Sequence, residues 1–159
     1  MNFELHRKDS CGGSSEHYRG LERMYLTAAA INDYFKPKIT IGDGEAEIRI
    51  EVDPKFFHAA GAVHGSVYFK ALDDAAFFAA NSVVEDVFVL TTNFNIHLLR
   101  PVKKGTLIAK GTLVSATKNL LIADAELKDD RGHLVGRGTG SFMRSKMMLV
   151  DVPGYTSEF

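Results

Sequence analysis

The stretch Val63-His64-Gly65-Ser66-Val67-Tyr68-Phe69-Lys70-Ala71-Leu72-Asp73-Asp74-Ala75-Ala76-Phe77-Phe78-Ala79-Ala80-Asn81 reads as one helix, expected over about residues 65–83, around which the rest of the chain is organised. From Ala71 to Ala80 the only polar residues are Asp73 and Asp74. A helix that is apolar on nearly every side is stable in water only when other structure wraps it. Into this buried element the chain inserts a carboxylate, Asp73, and the turn that opens it carries His64 and Gly65. A carboxylate and a helix N-terminus therefore belong to one unit, which is the first indication of a site.

On the N-terminal side, residues 1–16 are polar and interrupted by Gly12-Gly13-Ser14-Ser15, the pattern of a flexible arm. Tyr18, Leu21, Tyr25 and Ala28, with Met24, Ile31 and Phe35 one face on, recur at helical spacing, which predicts an amphipathic helix over about 17–35 that Pro37 ends. From Lys38 the period becomes two. Ile39 and Ile41 precede a turn at Gly42-Asp43-Gly44, and Ala46, Ile48, Ile50 and Val52 then alternate with Glu45, Glu47, Arg49 and Glu51. Asp53-Pro54 opens a loop that delivers the chain to the central helix.

Four more strand patterns follow the helix. Val87–Leu99 sets Phe88, Leu90, Phe94, Ile96 and Leu98 against Thr91, Asn93, Asn95 and His97. Thr106–Thr117, Leu120–Lys128 and His133–Arg144 come next, separated by Pro101–Gly105, Lys118-Asn119 and Asp129–Gly132. Short turns between consecutive strands predict an antiparallel meander, and its apolar face matches the apolar helix in extent. The expected fold is α+β: a curved antiparallel sheet of five to six strands wrapped around a long central helix, with an extra N-terminal helix. One domain spans residues 17–146, and residues 147–159 form an irregular tail.

Composition narrows the classes. The 159 residues are 45% hydrophobic and can bury a core without disulfides or a structural metal. With 19 Lys and Arg against 20 Asp and Glu, the net charge of -1 gives no field that selects nucleic acid. Cys11 is the only cysteine, so no internal disulfide forms. Met1–Arg19 has no apolar signal region and no run reaches a membrane span of about 18 residues, so a cytoplasmic protein without a membrane partner is expected.

Four features together resemble the hotdog-fold acyl-CoA thioesterases of the PaaI-like branch of the 4-hydroxybenzoyl-CoA thioesterase superfamily. They are His64-Gly65, Asp73 nine positions after His64, the small-residue run from Asp73-Asp74-Ala75 to Ala79-Ala80-Asn81, and Arg100-Pro101 with Gly105 after the next strand. The resemblance covers roughly residues 38–145 and implies a thioester hydrolase with no cofactor, coenzyme A being part of the substrate. It implies that Asp73 is the catalytic base or nucleophile, and that the backbone N–H of Gly65 meets the thioester oxygen. Thr91 would help place the attacking water. It also implies a homodimer with shared active sites, and a homotetramer built from it.

The family's Asn or Gln six positions before the histidine is His58 here, and the second glycine that often follows His-Gly is Ser66. A neutral His58 can donate to the thioester oxygen as an amide does, whereas a protonated one would pair with Asp73. His64 has two readings, a contact to the acyl group or a brace for its loop. Arg100, Lys103, Arg137 and Arg144, with Lys104 and Lys146, are the basic residues available to the phosphates of coenzyme A. No Cys or carboxylate stands at ligand spacing beside His58 and His64, so no metal is expected.

Asp73 and Asp74 lie about 100° apart around the helix and cannot share a role. Asp74 follows Lys70 by four residues, the spacing of a surface ion pair. The neighbours of Asp73 at three and four residues are Phe69, Lys70, Ala76 and Phe77, so burial there would raise its pKa. Gly136, Gly138 and Gly140 leave one face of the last strand bare, for helix packing or for a pantetheine arm. Phe56, Phe57, Phe69, Phe77 and Phe78 read as core. A catalytically silent acyl-CoA-binding or regulatory hotdog domain is the alternative function, raised by His58. A hotdog hydratase would need an Asp and a His close together in one loop, with Asn-Pro between them, and the chain has no such stretch.

Overall fold

In the computed structural model, which describes residues 13–157, the central helix α3 runs Gly65–Asn81 and lies against a six-stranded, wholly antiparallel sheet. Ahead of it come α1 (Gly13–Thr27), α2 (Asn32–Phe35), β1 (Lys38–Gly42) and β2 (Glu45–Glu51). After it come β3 (Val87–Leu98), β4 (Thr106–Ala116), β5 (Leu120–Lys128) and β6 (Leu134–Met148). The sheet order is β1-β2-β4-β5-β6-β3. The fold is the expected hotdog arrangement.

The core is the apolar face of that sheet against α3. Ala46, Ile48 and Ile50 of β2, Leu107 and Ala109 of β4, and Leu121, Ala123 and Leu127 of β5 are buried with Ala71, Leu72, Ala75, Ala76 and Ala79 of the helix. The alanines let the helix approach closely. At Gly111 of β4 a Cβ would lie inside the carbonyl of Ala75, so this strand touches the helix backbone directly.

Several local expectations are corrected. The N-terminal helix is not continuous over 17–35. It begins at Gly13 and stops at Thr27, where the buried Asn32 donates from Nδ2 to the Tyr25 carbonyl at 2.8 Å, taking an acceptor that a further turn of helix would have used. The one-turn α2 then ends on Lys36 in the left-handed region, φ 49°. Of the arm over 1–16, residues 1–12 lie outside the described residues and Gly13–Glu16 are helical. The last strand runs to Met148 rather than Arg144, so the irregular tail begins later, with a 3-10 turn at Leu149–Asp151.

The meander is also incomplete. Of the four strands after α3, only β4, β5 and β6 follow one another in the sheet. β3 pairs with β6 at the far edge, and β4 pairs with β2. The β3–β4 connection makes this possible by crossing the start of α3, where Val63 N–H donates to the Val102 carbonyl at 2.9 Å and the Tyr68 hydroxyl to the Arg100 carbonyl at 2.7 Å. The glycines of β6 are not vacant. The Phe94 ring covers Gly138 and Gly140, Phe142 also covers Gly140, and Tyr68 covers Gly136, so helix and sheet packing occupy that face.

Asn81 closes the helix onto β3. Its fully buried side chain donates to the carbonyls of Val84 (3.0 Å) and Val87 (3.2 Å) and accepts from Val89 N–H (3.1 Å). Asn81→Ala is expected to leave three backbone groups without partners and to cost about 3 kcal/mol, read as a lowered midpoint in urea unfolding.

Candidate active site

Asp73 lines a cleft of about 460 Å³ between α1, α3, the start of β3 and the C-terminal segment. Its walls are mostly apolar: Met24, Ala28, Phe77, Phe78, Phe88 and Val152 are among them. Phe77 and Phe78, read as core from the sequence, therefore also face this space. Thr91 donates from Oγ1 to Asp73 Oδ1 at 3.0 Å. Burial is the dominant influence on the carboxyl and raises its pKa from 3.8 to about 6. The Thr91 bond works against that rise, Asp74 adds to it, and Lys70 opposes it. A carboxylate so raised is a competent proton acceptor near neutral pH.

Thr91 reaches Asp73 because of a bulge that the alternating pattern conceals. Uniform alternation would set Thr91 with Asn93 and His97 on the polar face. The β3–β6 register instead shifts between Thr91 and Asn93. Before the shift Val89 is buried and Thr91 pairs with the buried Phe142; after it Phe94 and Ile96 take the inner positions. The extra residue re-aims one side chain toward the helix.

Beside Asp73 lies a polar group that the periodicity presents as an ordinary surface pair. Lys70 and Asp74 do form the expected i,i+4 ion pair, but they are 11% and 18% exposed and line the same cleft. The Tyr25 hydroxyl of α1 donates to Asp74 Oδ2 at 2.5 Å, and Lys70 Nζ lies 4.9 Å over the Tyr25 ring and 5.6 Å from that of Phe35. Burial raises the Asp74 carboxyl despite Lys70 and Tyr25, and pushes the Tyr25 hydroxyl far up. The visible signal was a Lys-Asp pair inside an otherwise apolar helix; its link to Tyr25 is tertiary.

Gly65 opens α3. His64 caps the helix, with Nδ1 accepting from Ser66 N–H at 3.0 Å and lying 2.8 Å from the Ser66 hydroxyl, so the brace reading of His64 describes its contacts and Ser66 is engaged with it. The Gly65 N–H meets no acceptor among the described residues. Gly65 shares a second cleft, of about 250 Å³, with His58, Tyr68, Leu98, Leu99 and Arg100. In this loop Ala60 N–H donates to His58 Nδ1 at 3.1 Å. That bond requires a bare Nδ1, so a neutral His58 carries its proton on Nε2 as a donor.

The sequence-predicted residues thus fall into two groups and a remainder. Asp73 and Thr91 meet in one cleft; Gly65, His58 and Arg100 surround the other. Lys103 is exposed on the β3–β4 connection. Arg137 stands opposite His97 on the outer side of the sheet, and Arg144 pairs with Asp86 at 3.3 Å; neither is brought to either cleft. Among the described residues no three His, Cys, Asp or Glu side chains converge as a metal site would need, and no helix is long and apolar enough to cross a membrane.

Comparison with known proteins bears on this geometry. The fold is similar to that of E. coli PaaI, from the phenylacetic acid degradation operon, with a TM-score of 0.78 and 21% identity over 86% of this chain and 98% of that one. It is similar also to a thioesterase of Haemophilus influenzae, with a TM-score of 0.67 and 20% identity over 77% of this chain and 87% of that one. In sequence it is 25% identical over 132 residues to a Saccharolobus solfataricus protein named as a proposed esterase, covering 81% of this chain and 94% of the relative. Residues 60–135, which contain α3 with Gly65 and Asp73, the bulged strand with Thr91, and Arg100, match the family model described as the thioesterase superfamily, and the fold they belong to is the hotdog fold.

Proposed function

We propose that this protein is a thioesterase of the PaaI-like kind that hydrolyses acyl- or aryl-acyl-CoA thioesters to the free acid and coenzyme A. The observation that carries the reading is Asp73: a carboxylate raised to about 6 by burial, held by Thr91, in the wall of an apolar cleft large enough for an acyl group. Asp73 acts as general base on water or attacks the thioester carbonyl itself. In either case negative charge builds on the carbonyl oxygen, and the C–S bond breaks to release the coenzyme A thiol.

The Gly65 N–H, at the positive end of α3, is the donor suited to that oxygen, and His58 Nε2–H is a second. They cannot serve the Asp73 of their own chain. Gly65 and Asp73 are eight residues apart on one helix, about 12 Å along its axis, whereas one thioester spans a few ångströms. A complete site therefore needs two copies, with Asp73 and Thr91 from one and Gly65 and His58 from the other. β3, at the edge of the sheet, is the strand available for pairing them into a homodimer, and a homotetramer would follow from pairing such dimers. Arg100, beside Gly65, and Lys103, farther along its connection, are the cations proposed for the coenzyme A phosphates. The acyl-CoA pool of the cytoplasm would supply the substrate.

The test is thiol release, followed with a disulfide reagent, over short, long-chain and aromatic acyl-CoAs between pH 5.5 and 8.5. Release from at least one class is expected. Binding of acyl-CoA with no thiol released from any would sink the reading in favour of a silent acyl-CoA-binding domain, the alternative that His58 raises by replacing an amide.

A further inference from the structure

Lys70 has a choice of partners. On an α-helix it is three residues from Asp73 and four from Asp74, and both spacings bring side chains together. An ammonium on Asp73 would lower its pKa and occupy its oxygens, which weakens a group that must take a proton from water or attack a carbonyl. In the structure Lys70 is paired with Asp74. Nothing on α3 itself dictates this selection. It is made from α1: the Tyr25 hydroxyl donates to the same oxygen, Asp74 Oδ2, that Lys70 engages, at 2.5 Å. The hydroxyl also accepts from Lys70 Nζ at 3.3 Å, while the ring stands 4.9 Å from it. The Phe35 ring stands 5.6 Å from the same Nζ.

We propose that Tyr25 is a positioning residue for Asp73: it fastens Lys70 to Asp74 and so keeps the ammonium off the carboxylate that Thr91 holds. The inference rests on the reading of Asp73 as the reacting carboxylate. It assigns to α1, a helix that otherwise covers one end of the core, a part in setting the protonation of the site. Among the described residues that line this cleft, the titratable or charged groups facing Asp73 are Lys70 and Asp74 from α3 and Tyr25 from α1. β3 contributes the Thr91 hydroxyl, and the C-terminal segment contributes Val152 and Pro153, which carry no charge.

Tyr25→Phe removes the hydroxyl and keeps the ring. Lys70 is then expected to divide its time between the two carboxylates, and the midpoint of Asp73 to fall by about one pH unit or more. The midpoint is read in two ways: from the acid limb of kcat/KM, and without substrate from the 13C shift of the Asp73 carboxyl, assigned by its loss in Asp73→Asn. In a Lys70→Met background the same Tyr25→Phe change is expected to move the midpoint not at all. Asp74→Asn, which deprives Lys70 of its partner with Tyr25 intact, lowers the midpoint by its own lost charge as well, so it stands in if Tyr25→Phe fails to fold through the difference it makes with and without Lys70: a larger fall with Lys70 present than in Lys70→Met is expected, and equal falls overturn the proposal.

A hydroxyl that merely braces α1 would cost thermal stability and leave the midpoint in place, and that result overturns the proposal. So does a Tyr25→Phe shift that persists without Lys70. Because the carbon titration needs no turnover, a protein that hydrolyses no thioester but shows these shifts would sink the hydrolase reading and leave the positioning of Lys70 standing.

Discussion

Asp73→Asn is expected to lower kcat for thioester hydrolysis by about 10²–10⁴, the usual worth of a positioned general base, with KM changed little. The amide keeps the shape of the carboxylate and still accepts from Thr91, so the loss reads chemistry rather than fold. In the wild type kcat/KM should fall below about pH 6 as Asp73 takes up a proton.

The same variant should be more stable than the wild type. The folded pKa of Asp73, about 6, lies above the unfolded 3.8, so the folded state binds its proton more tightly. The wild type bears no penalty at this position below pH 4, where both states are protonated, and loses stability as pH rises toward 6 and the buried carboxyl must ionise. Asn never ionises. The variant's advantage is therefore expected to be near zero at pH 4 and to reach roughly 2–3 kcal/mol at pH 8, about 4–10 °C in melting temperature. An Asp73→Asn protein that keeps wild-type kcat, or melts below the wild type at pH 8, contradicts the assignment of a buried, strained base.

Gly111→Ala is expected to be the most damaging single methyl group in the chain. In the middle of β4 the helix backbone replaces the side chain that any other residue would bring: a Cβ there would overlap the Ala75 carbonyl and come within 2.7 Å of the Ala76 nitrogen. A flexible side chain could give way, but a helix backbone bonded at both ends cannot. α3 must lift off the sheet, which opens the contacts of Ala71, Ala75 and Ala79 with β2, β4 and β5. The expected cost is about 3 kcal/mol or more, above the usual range for an overpacked core, and α3 carries Asp73 and Gly65 with it. Soluble expression and urea unfolding check this; a Gly111→Ala protein within about 0.5 kcal/mol of the wild type would show that the helix does not rest on the strand.

How far the site was legible depended on whether its cause was local. The buried helix, its adjacent acids and its glycine start are all encoded in residues a few positions apart, and Asp73 could be singled out from its mostly apolar neighbours at three and four residues. The hairpin at Asp43-Gly44 was legible for the same reason, since Gly44 takes φ 67° where β1 turns into β2. Thr91 was named for its role by resemblance, but alternation put it on the wrong face, because an inserted residue at a bulge leaves the composition of a strand unchanged and shifts only its phase. Arg137 and Arg144 line neither cleft of the single chain, a placement the sequence does not foretell because charge carries no information about direction.

By itself, then, the sequence determined that a nearly all-apolar helix must be wrapped by alternating strands, and that a carboxylate and an N–H donor ride on that helix. Helical and strand periods are local properties of the backbone and are written residue by residue. Only the tertiary structure decided which strands are neighbours, with β3 at the edge beside β6. It also decided that Gly111 admits the helix, that Tyr25 reaches across to the Lys70–Asp74 pair, and that Asp73 and Gly65 open into separate clefts. Each depends on contacts between segments far apart in the chain, where the free energy comes from packing geometry and burial, and no single stretch contains both partners.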